Sequence, residues 1–290
     1  MLTTEEIVRK VRLLEIKSKR LTNHMFTGEY HSAFKGQGMH YKEVRQYQPG
    51  DDVRFIDWNV SARYAQPYSK VFEEERELTV FLLIDNSASM HTGSGPQRKK
   101  DLATELAAVL GFSAVNNHDK VGALLFADTV QQVVTPKKGK QNTLFIIRNL
   151  LTTEPAGTTT AFAEAIRRFN NLQKRRCICF FISDFLGTGF ETALRSLSAR
   201  HDVIGIRVYD RLDRELPVAG LLHVADAETG APRVLDTQNA LVRYEYEEDF
   251  HRHTAWLQNL FHKAGADLLH LQTGEDYVKV LQKFFINRSR

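Results

Sequence analysis

Asp85-Asn86-Ser87-Ala88-Ser89 places one carboxylate and two hydroxyls at alternate positions, directly after the apolar run Thr79-Val80-Phe81-Leu82-Leu83-Ile84. A run that is apolar at every position is the pattern of a strand buried on both faces of a parallel sheet. In open α/β sheets, ligands bind beyond the carboxyl ends of such strands. A second carboxylate, Asp184, follows the apolar run that ends at Ser183, so it falls on the same edge. Between the two in sequence, Gly157-Thr158-Thr159-Thr160 lies in a loop that enters a helix. Separate segments thus bring hydroxyls and carboxylates to one place.

That donor set suits Mg²⁺, with Mn²⁺ as the alternative. Mg²⁺ is a hard cation that takes oxygen ligands in near-octahedral geometry and keeps several waters. Ser87, Ser89 and one threonine would ligate it directly, with Asp85 and Asp184 holding its waters or binding it themselves. Mostly neutral direct ligands leave the ion electrophilic, and a partner's Asp or Glu carboxylate is the natural group to complete its shell. Any one of these residues alone reads more simply as a helix cap or turn residue. The set together points to the metal.

Other chemistries fit less well. A metal-dependent phosphohydrolase would use Ser87 as nucleophile with Asp85 or Asp184 on the metal, but no general base stands out and the carboxylate and histidine ligands are too few. His251 and His253 stand two apart on an expected helix and so point to nearly opposite sides. The stretch Gly93 to Lys100 lacks the Gly-x-x-x-x-Gly-Lys-Ser/Thr spacing that wraps phosphates, and reads as a flexible loop beside the metal site. Cys177 and Cys179 sit inside an apolar run and read as packing residues, too few for a zinc site or a disulfide framework.

The elements that must position these groups follow from periodicity. Residues 3–20 form an amphipathic helix opened by Thr3-Thr4-Glu5-Glu6, a capping box, with Ile7, Val11 and Leu14 at helical spacing. From about 24 to 75, Gly28, Gly36, Gly38 and Gly50 interrupt aromatic and polar pieces, which indicates a separate irregular subdomain of turns and short strands. From Leu78 onward, strands at 79–84, 121–127, 177–183 and 203–209 alternate with helices at 100–116, 143–151, 161–171 and 190–200. Such alternation predicts an α/β fold, a three-layer, mostly parallel sheet with helices on both faces.

Residues 221–225 and 233–235 read as a hairpin turned at Glu228-Thr229-Gly230, expected to pair with the N-terminal subdomain. A helix at 246–264, a strand at 267–271 and a helix at 275–286 complete the fold. The expected division is 1–75 for the opening helix and irregular β subdomain, 76–210 for the α/β domain, 211–245 for the hairpin segment and 246–290 for the closing elements.

Composition bounds the function. At 290 residues, with 42% hydrophobic and 26% charged, the chain has ordinary globular usage and can bury a substantial core. No apolar run approaches a membrane span and the N-terminus lacks a signal-peptide core, so a cytoplasmic protein without membrane insertion is expected. The net charge of +4 is spread among 35 acidic residues, without the basic concentration that a specific nucleic-acid surface needs.

Asp85-x-Ser87-x-Ser89, the loop threonine and Ile182-Ser183-Asp184 resemble the metal-ion-dependent adhesion site of von Willebrand factor A domains, over about residues 76 to 210. In sequences of that kind the threonine stands five residues before the Ala of an Ala-Leu or Ala-Ile pair. Counting back from Ala165-Ile166 selects Thr160, with Thr158 as the alternative. Upstream, Tyr41, Arg45, Tyr47, Pro49-Gly50-Asp51-Asp52, Arg54, Ile56-Asp57-Trp58, Ala62 and Arg63 are similar to the hallmark segment of a large, mostly prokaryotic family of unknown function. Its members contain an A-type domain and are commonly encoded beside MoxR-type AAA+ ATPases.

The resemblance implies a non-enzymatic, metal-dependent interaction protein, an adaptor working with a MoxR-type ATPase on an unknown client in chaperone-like assembly or maturation. Arg45, Arg54 and Arg63 interleaved with Asp51, Asp52 and Asp57 imply either an ion-pair network pinning the subdomain to the A-type domain or, with Trp58, a docking surface.

Overall fold

The computed structural model describes residues 4–25, 40–73, 78–154, 160–225 and 232–288. Helix α1 (Thr4–Met25) opens the chain. Residues 34–78 then form a compact unit of their own. In it β1 (His40–Gln46), α2 (Trp58–Tyr64) and β2 (Tyr68–Glu73) are joined by short turns, and β1 pairs antiparallel with β2. Asp57 caps α2 by accepting from the backbone N–H groups of Asn59 and Val60, which satisfies donors that the first helical turn leaves unpaired.

The larger unit comprises residues 1–33 and 79–290. Its chain runs β3 (Thr79–Asp85), α3 (Lys99–Asn116), β4 (Lys120–Phe126), β5 (Val130–Lys137), α4 (Lys140–Thr152), α5 (Phe162–Leu172) and β6 (Ile178–Ser183). It continues through α6 (Glu191–Ser198), β7 (Asp202–Tyr209), the one-turn α7 (Arg211–Arg214), β8 (Leu221–Ala225), β9 (Pro232–Asp236), α8 (Ala240–Ala264), β10 (Asp267–Gln272) and α9 (Tyr277–Arg288). Six strands make one sheet in the order β10-β7-β6-β3-β4-β5, parallel except for β5.

The apolar runs are buried because both faces of this sheet are covered. On one face Phe81, Leu83, Cys179, Phe181 and Val203 pack against Phe162, Ile166 and Phe169 of α5, Leu194 and Leu197 of α6, and Leu257 and Phe261 of α8. On the other, Phe180 meets Phe285 of α9 edge to face, and α3 lies across β3 and β4. The expected three-layer α/β architecture is therefore present.

Four details depart from the sequence reading. The opening helix goes with the larger unit and not with the irregular segment: Val11 and Leu14 pack on Ala108 and Phe112 of α3 and Ile147 of α4. The expected hairpin is present, β8 pairing with β9, but among the described residues these strands form a two-stranded sheet of their own and do not join the N-terminal strands. Strand β5 was not anticipated. Its glutamines and Pro136 obscure the pattern, and proline is tolerated there because β5 is an edge strand. The segment expected to be a flexible loop, 93–100, is tied down: Ser94 donates to Asp210 at 2.5 Å, Gln97 accepts from the Gly274 N–H at 3.0 Å, and Lys99 already begins α3.

Candidate metal centre at the carboxyl edge of the sheet

Strand β3 delivers Asp85 to the sheet edge, where the Asn86 N–H donates to the Phe126 carbonyl at 2.7 Å and so continues the pairing one residue past the strand. The side chain of Asn86 then pins the turn. Its amide donates to Gln131 at 2.8 Å and to the Glu154 carbonyl at 3.2 Å, and its oxygen meets the His91 ring at 3.2 Å. This leaves Ser87, which precedes a 3₁₀ turn at Ala88–His91, and Ser89, within it, with their Oγ atoms 3.1 Å apart and both side chains buried.

Asp85 is buried and held at both oxygens. Oδ1 accepts from the Ser87 N–H at 2.8 Å and Oδ2 from the Ser183 hydroxyl at 2.6 Å, which reaches across from β6. Burial first, and the neighbouring charge of Asp184 second, push its pKa well above the usual carboxylate range, against the pull of those hydrogen bonds. Asp184 is buried beside it, its Oδ1 accepting a long bond from the Leu186 N–H at 3.4 Å. Thr160 reaches the same edge. The Ala161 N–H donates to the Ala127 carbonyl just beyond β4, and the Thr160 carbonyl lies 3.8 Å from where a Cβ on Gly187 would sit. Thr158, the alternative, lies outside the described residues.

The sequence reading missed Lys99. Its ammonium is buried to 1% exposure and bonds Asp184 Oδ2 at 3.0 Å and Asp213 Oδ2 of α7 at 3.1 Å. Burial alone would lower its pKa, but the two carboxylates outweigh that and raise it. The one local signal is that Lys99 and Lys100 open α3, where the helix dipole disfavours cations, which marks them as residues whose charge needs a partner from elsewhere. Arg207 was also missed. It is buried on β7 opposite Ser183, donates to Thr254 at 2.6 Å, lies over the Phe250 ring at 4.6 Å, and carries a second positive charge beside Asp184 and Asp213.

The donor set fits a hard divalent cation: two adjacent buried hydroxyls, the buried carboxylate of Asp85 oriented by Ser183, and the buried carboxylate of Asp184 at the end of the neighbouring strand. Among the described residues no group of three or more His, Cys, Asp or Glu side chains is placed to hold a metal, so hydroxyls would have to supply the direct ligands here. Lys99 shares the oxygens of Asp184 with any such ion.

The other expectations resolve simply. His253 donates from Nε2 to the Phe185 carbonyl at 2.9 Å, a packing contact with no metal-ligand partner in His251. Cys177 and Cys179 are free thiols buried in the core. In the smaller unit Arg45 pairs with Asp51 at 2.8 Å, Arg54 with Asp52 at 2.6 Å, and Asp57 with Lys70 at 3.4 Å instead of with an arginine. These pairs lie within the unit. Trp58 is 71% exposed at the start of α2, and Arg63 is exposed in its last turn.

Residues 43–256 match the model of a family described as Protein of unknown function DUF58. Uncharacterized protein Rv1480 of Mycobacterium tuberculosis is 34% identical over 283 residues, covering 97% of this chain and 89% of its own. Among solved structures, BatB from Bacteroides thetaiotaomicron is similar with a TM-score of 0.47 at 18% identity, over 73% of this chain and 98% of that one. The SpRpn10 VWA domain is similar with a TM-score of 0.36 at 13% identity, over 70% of this chain and 93% of that one.

Proposed function

For this chain, which belongs to the DUF58 family of proteins of unknown function, we propose a metal-dependent, non-enzymatic role in binding another protein. The observation that carries the reading is the pair of buried Ser87 and Ser89 hydroxyls, 3.1 Å apart, set beside Asp85 and Asp184 at the carboxyl edge of the sheet. Ser87, Ser89 and Thr160 would hold Mg²⁺ or Mn²⁺ directly, and Asp85 and Asp184 would bind it or hold its waters. The bound ion supplies an electrophilic position for an acidic side chain of the partner. Ser183 orients Asp85 and Asn86 holds the turn, so the chain's own work is to keep the hydroxyls converged.

Support for a binding role over hydrolysis comes from the ligand set: among the described residues no group of three or more His, Cys, Asp or Glu side chains is placed to hold a metal, and two-metal hydrolases use more such ligands. The partner in this reading is a MoxR-type AAA+ ATPase, with an unidentified client, in the cytoplasm. Among the described residues no helix is long and apolar enough to cross a membrane. The Trp58 face, with Arg54 and Arg63 exposed, is the second surface offered to such a partner.

The test is titration calorimetry of Mg²⁺ and Mn²⁺ into chelator-stripped wild type and Ser87→Ala/Ser89→Ala, alone and with the ATPase. Metal binding and metal-dependent ATPase binding are expected in the wild type and absent from the variant. Partner binding indifferent to both metal and substitution would remove the adhesion-site reading and leave the Trp58 face as the interface.

A further inference from the structure

Lys99 raises a question that the metal reading leaves open, because a buried ammonium already bonds one of the carboxylates meant for the ion. Its 1% exposure and paired bonds of 3.0 Å to Asp184 and 3.1 Å to Asp213 make it a built part of the site and not a surface ion pair. Asp213 is itself fixed, since its Oδ2 accepts from the Asp210 N–H at 2.8 Å at the start of α7. Asp210 in turn holds Ser94 at 2.5 Å and Thr273 at 2.6 Å. The ammonium therefore has two anchored acceptors, and withdrawal from Asp184 leaves it paired with Asp213.

We infer that Lys99 is a tethered cation that competes with the metal for Asp184 and, once displaced toward Asp213, adds a positive charge beside the loaded site that favours an anionic ligand. The inference rests on the proposed metal reading and assigns the regulation of that same site.

The charge balance carries the second half. Asp85, Asp184, Asp210 and Asp213 lie with two buried cations, Lys99 and Arg207, and with Lys99 in place the ion-loaded cluster is one charge more positive than without it. That added charge favours a carboxylate over a neutral ligand. The same lysine thus weakens the metal and strengthens the acidic ligand, and these opposite signs separate it from a lysine that merely braces the fold.

The experiment counts free Mn²⁺ by electron paramagnetic resonance in wild type, Lys99→Met, Lys99→Arg and Asp213→Asn, with and without acetate as the carboxylate probe at matched ionic strength. Lys99→Met should tighten Mn²⁺ by about tenfold or more and lose most of the gain that acetate gives the wild type. Lys99→Arg should stay near wild type. Asp213→Asn, which leaves Lys99 only Asp184 to hold, should weaken Mn²⁺. If Lys99→Met does not fold, Asp213→Asn decides, and unchanged Mn²⁺ affinity there overturns the inference.

The outcomes also separate this idea from the one beneath it. Mn²⁺ binding that depends on Ser87 and Ser89 but ignores Lys99 and Asp213 keeps the metal site and overturns the role of Lys99. Binding seen only after Lys99→Met removes the metal reading for the wild type and supports Lys99 as the resident cation. No binding by any variant overturns both.

Discussion

The hydroxyl of Ser183 donates to Asp85 Oδ2 at 2.6 Å, one strand holding the carboxylate that its neighbour delivers. The same Oγ accepts from the Phe185 N–H at 2.9 Å, where the chain turns through a positive φ of 55°. Ser183→Ala removes both bonds inside a buried cluster, and a loss of about 1–3 kcal/mol in urea unfolding without metal is expected. It also raises the already elevated pKa of Asp85, so Mg²⁺ binding by calorimetry should shift to higher pH, since the protonated carboxyl holds the ion poorly. An unshifted pH profile would mean that Asp85 does not contact the ion or its waters.

At the opposite end of the sheet, His201 is buried, with its Nδ1 3.3 Å from Cys177 Sγ and its ring edge-on to Phe169 at 4.9 Å. Burial first, then the charges of Arg200 and Arg176, push its pKa down to about 4. A histidine held neutral by the fold takes up a proton on unfolding, so stability is retained above about pH 6.5 and falls as pH drops toward 4. The slope has a ceiling of about 1.4 kcal/mol per pH unit. His201→Asn should flatten that part of the curve, measured as the difference from wild type across pH 4–7 so that other groups cancel.

Gly205 on β7 lets Phe261 of α8 approach the sheet closely. A Cβ there would lie 2.3 Å from the Phe261 ring, which is fully buried and has no room to retreat. Gly205→Ala should therefore cost about 1–3 kcal/mol of stability by overpacking. Pairing it with Phe261→Leu should recover part of that loss. A neutral single variant by denaturant titration would show that α8 can slide on the sheet.

In the smaller unit, Asp57 caps α2 through Asn59 and Val60 at 3.0 and 3.2 Å and lies 3.4 Å from Lys70. Asp57→Ala should destabilise that unit, nearly all through the cap, because the lysine pair is half exposed. Lys70→Ala should then change little. Amide hydrogen exchange over residues 57–64 reads both, and equal effects from the two variants would contradict this division.

The chain itself determined the strands that carry the site. Continuous apolar runs such as Thr79–Ile84 and Ile178–Ile182 can only be buried on both faces, and whatever follows them must emerge at the carboxyl edge, as Asp85 and Asp184 do. Local chemistry was equally legible in the Ser87 and Ser89 spacing. Tertiary structure alone decided which charges meet. Lys99 and Asp184 lie 85 residues apart, and only the winding of α3 back over β3 puts an ammonium against a carboxylate three strands further along the chain. Periodicity records which face of an element is apolar, not which partner a lone charge finds. The same limit hid the seating of α1 on α3 and α4, whereas the β8–β9 hairpin, a local pairing, was legible.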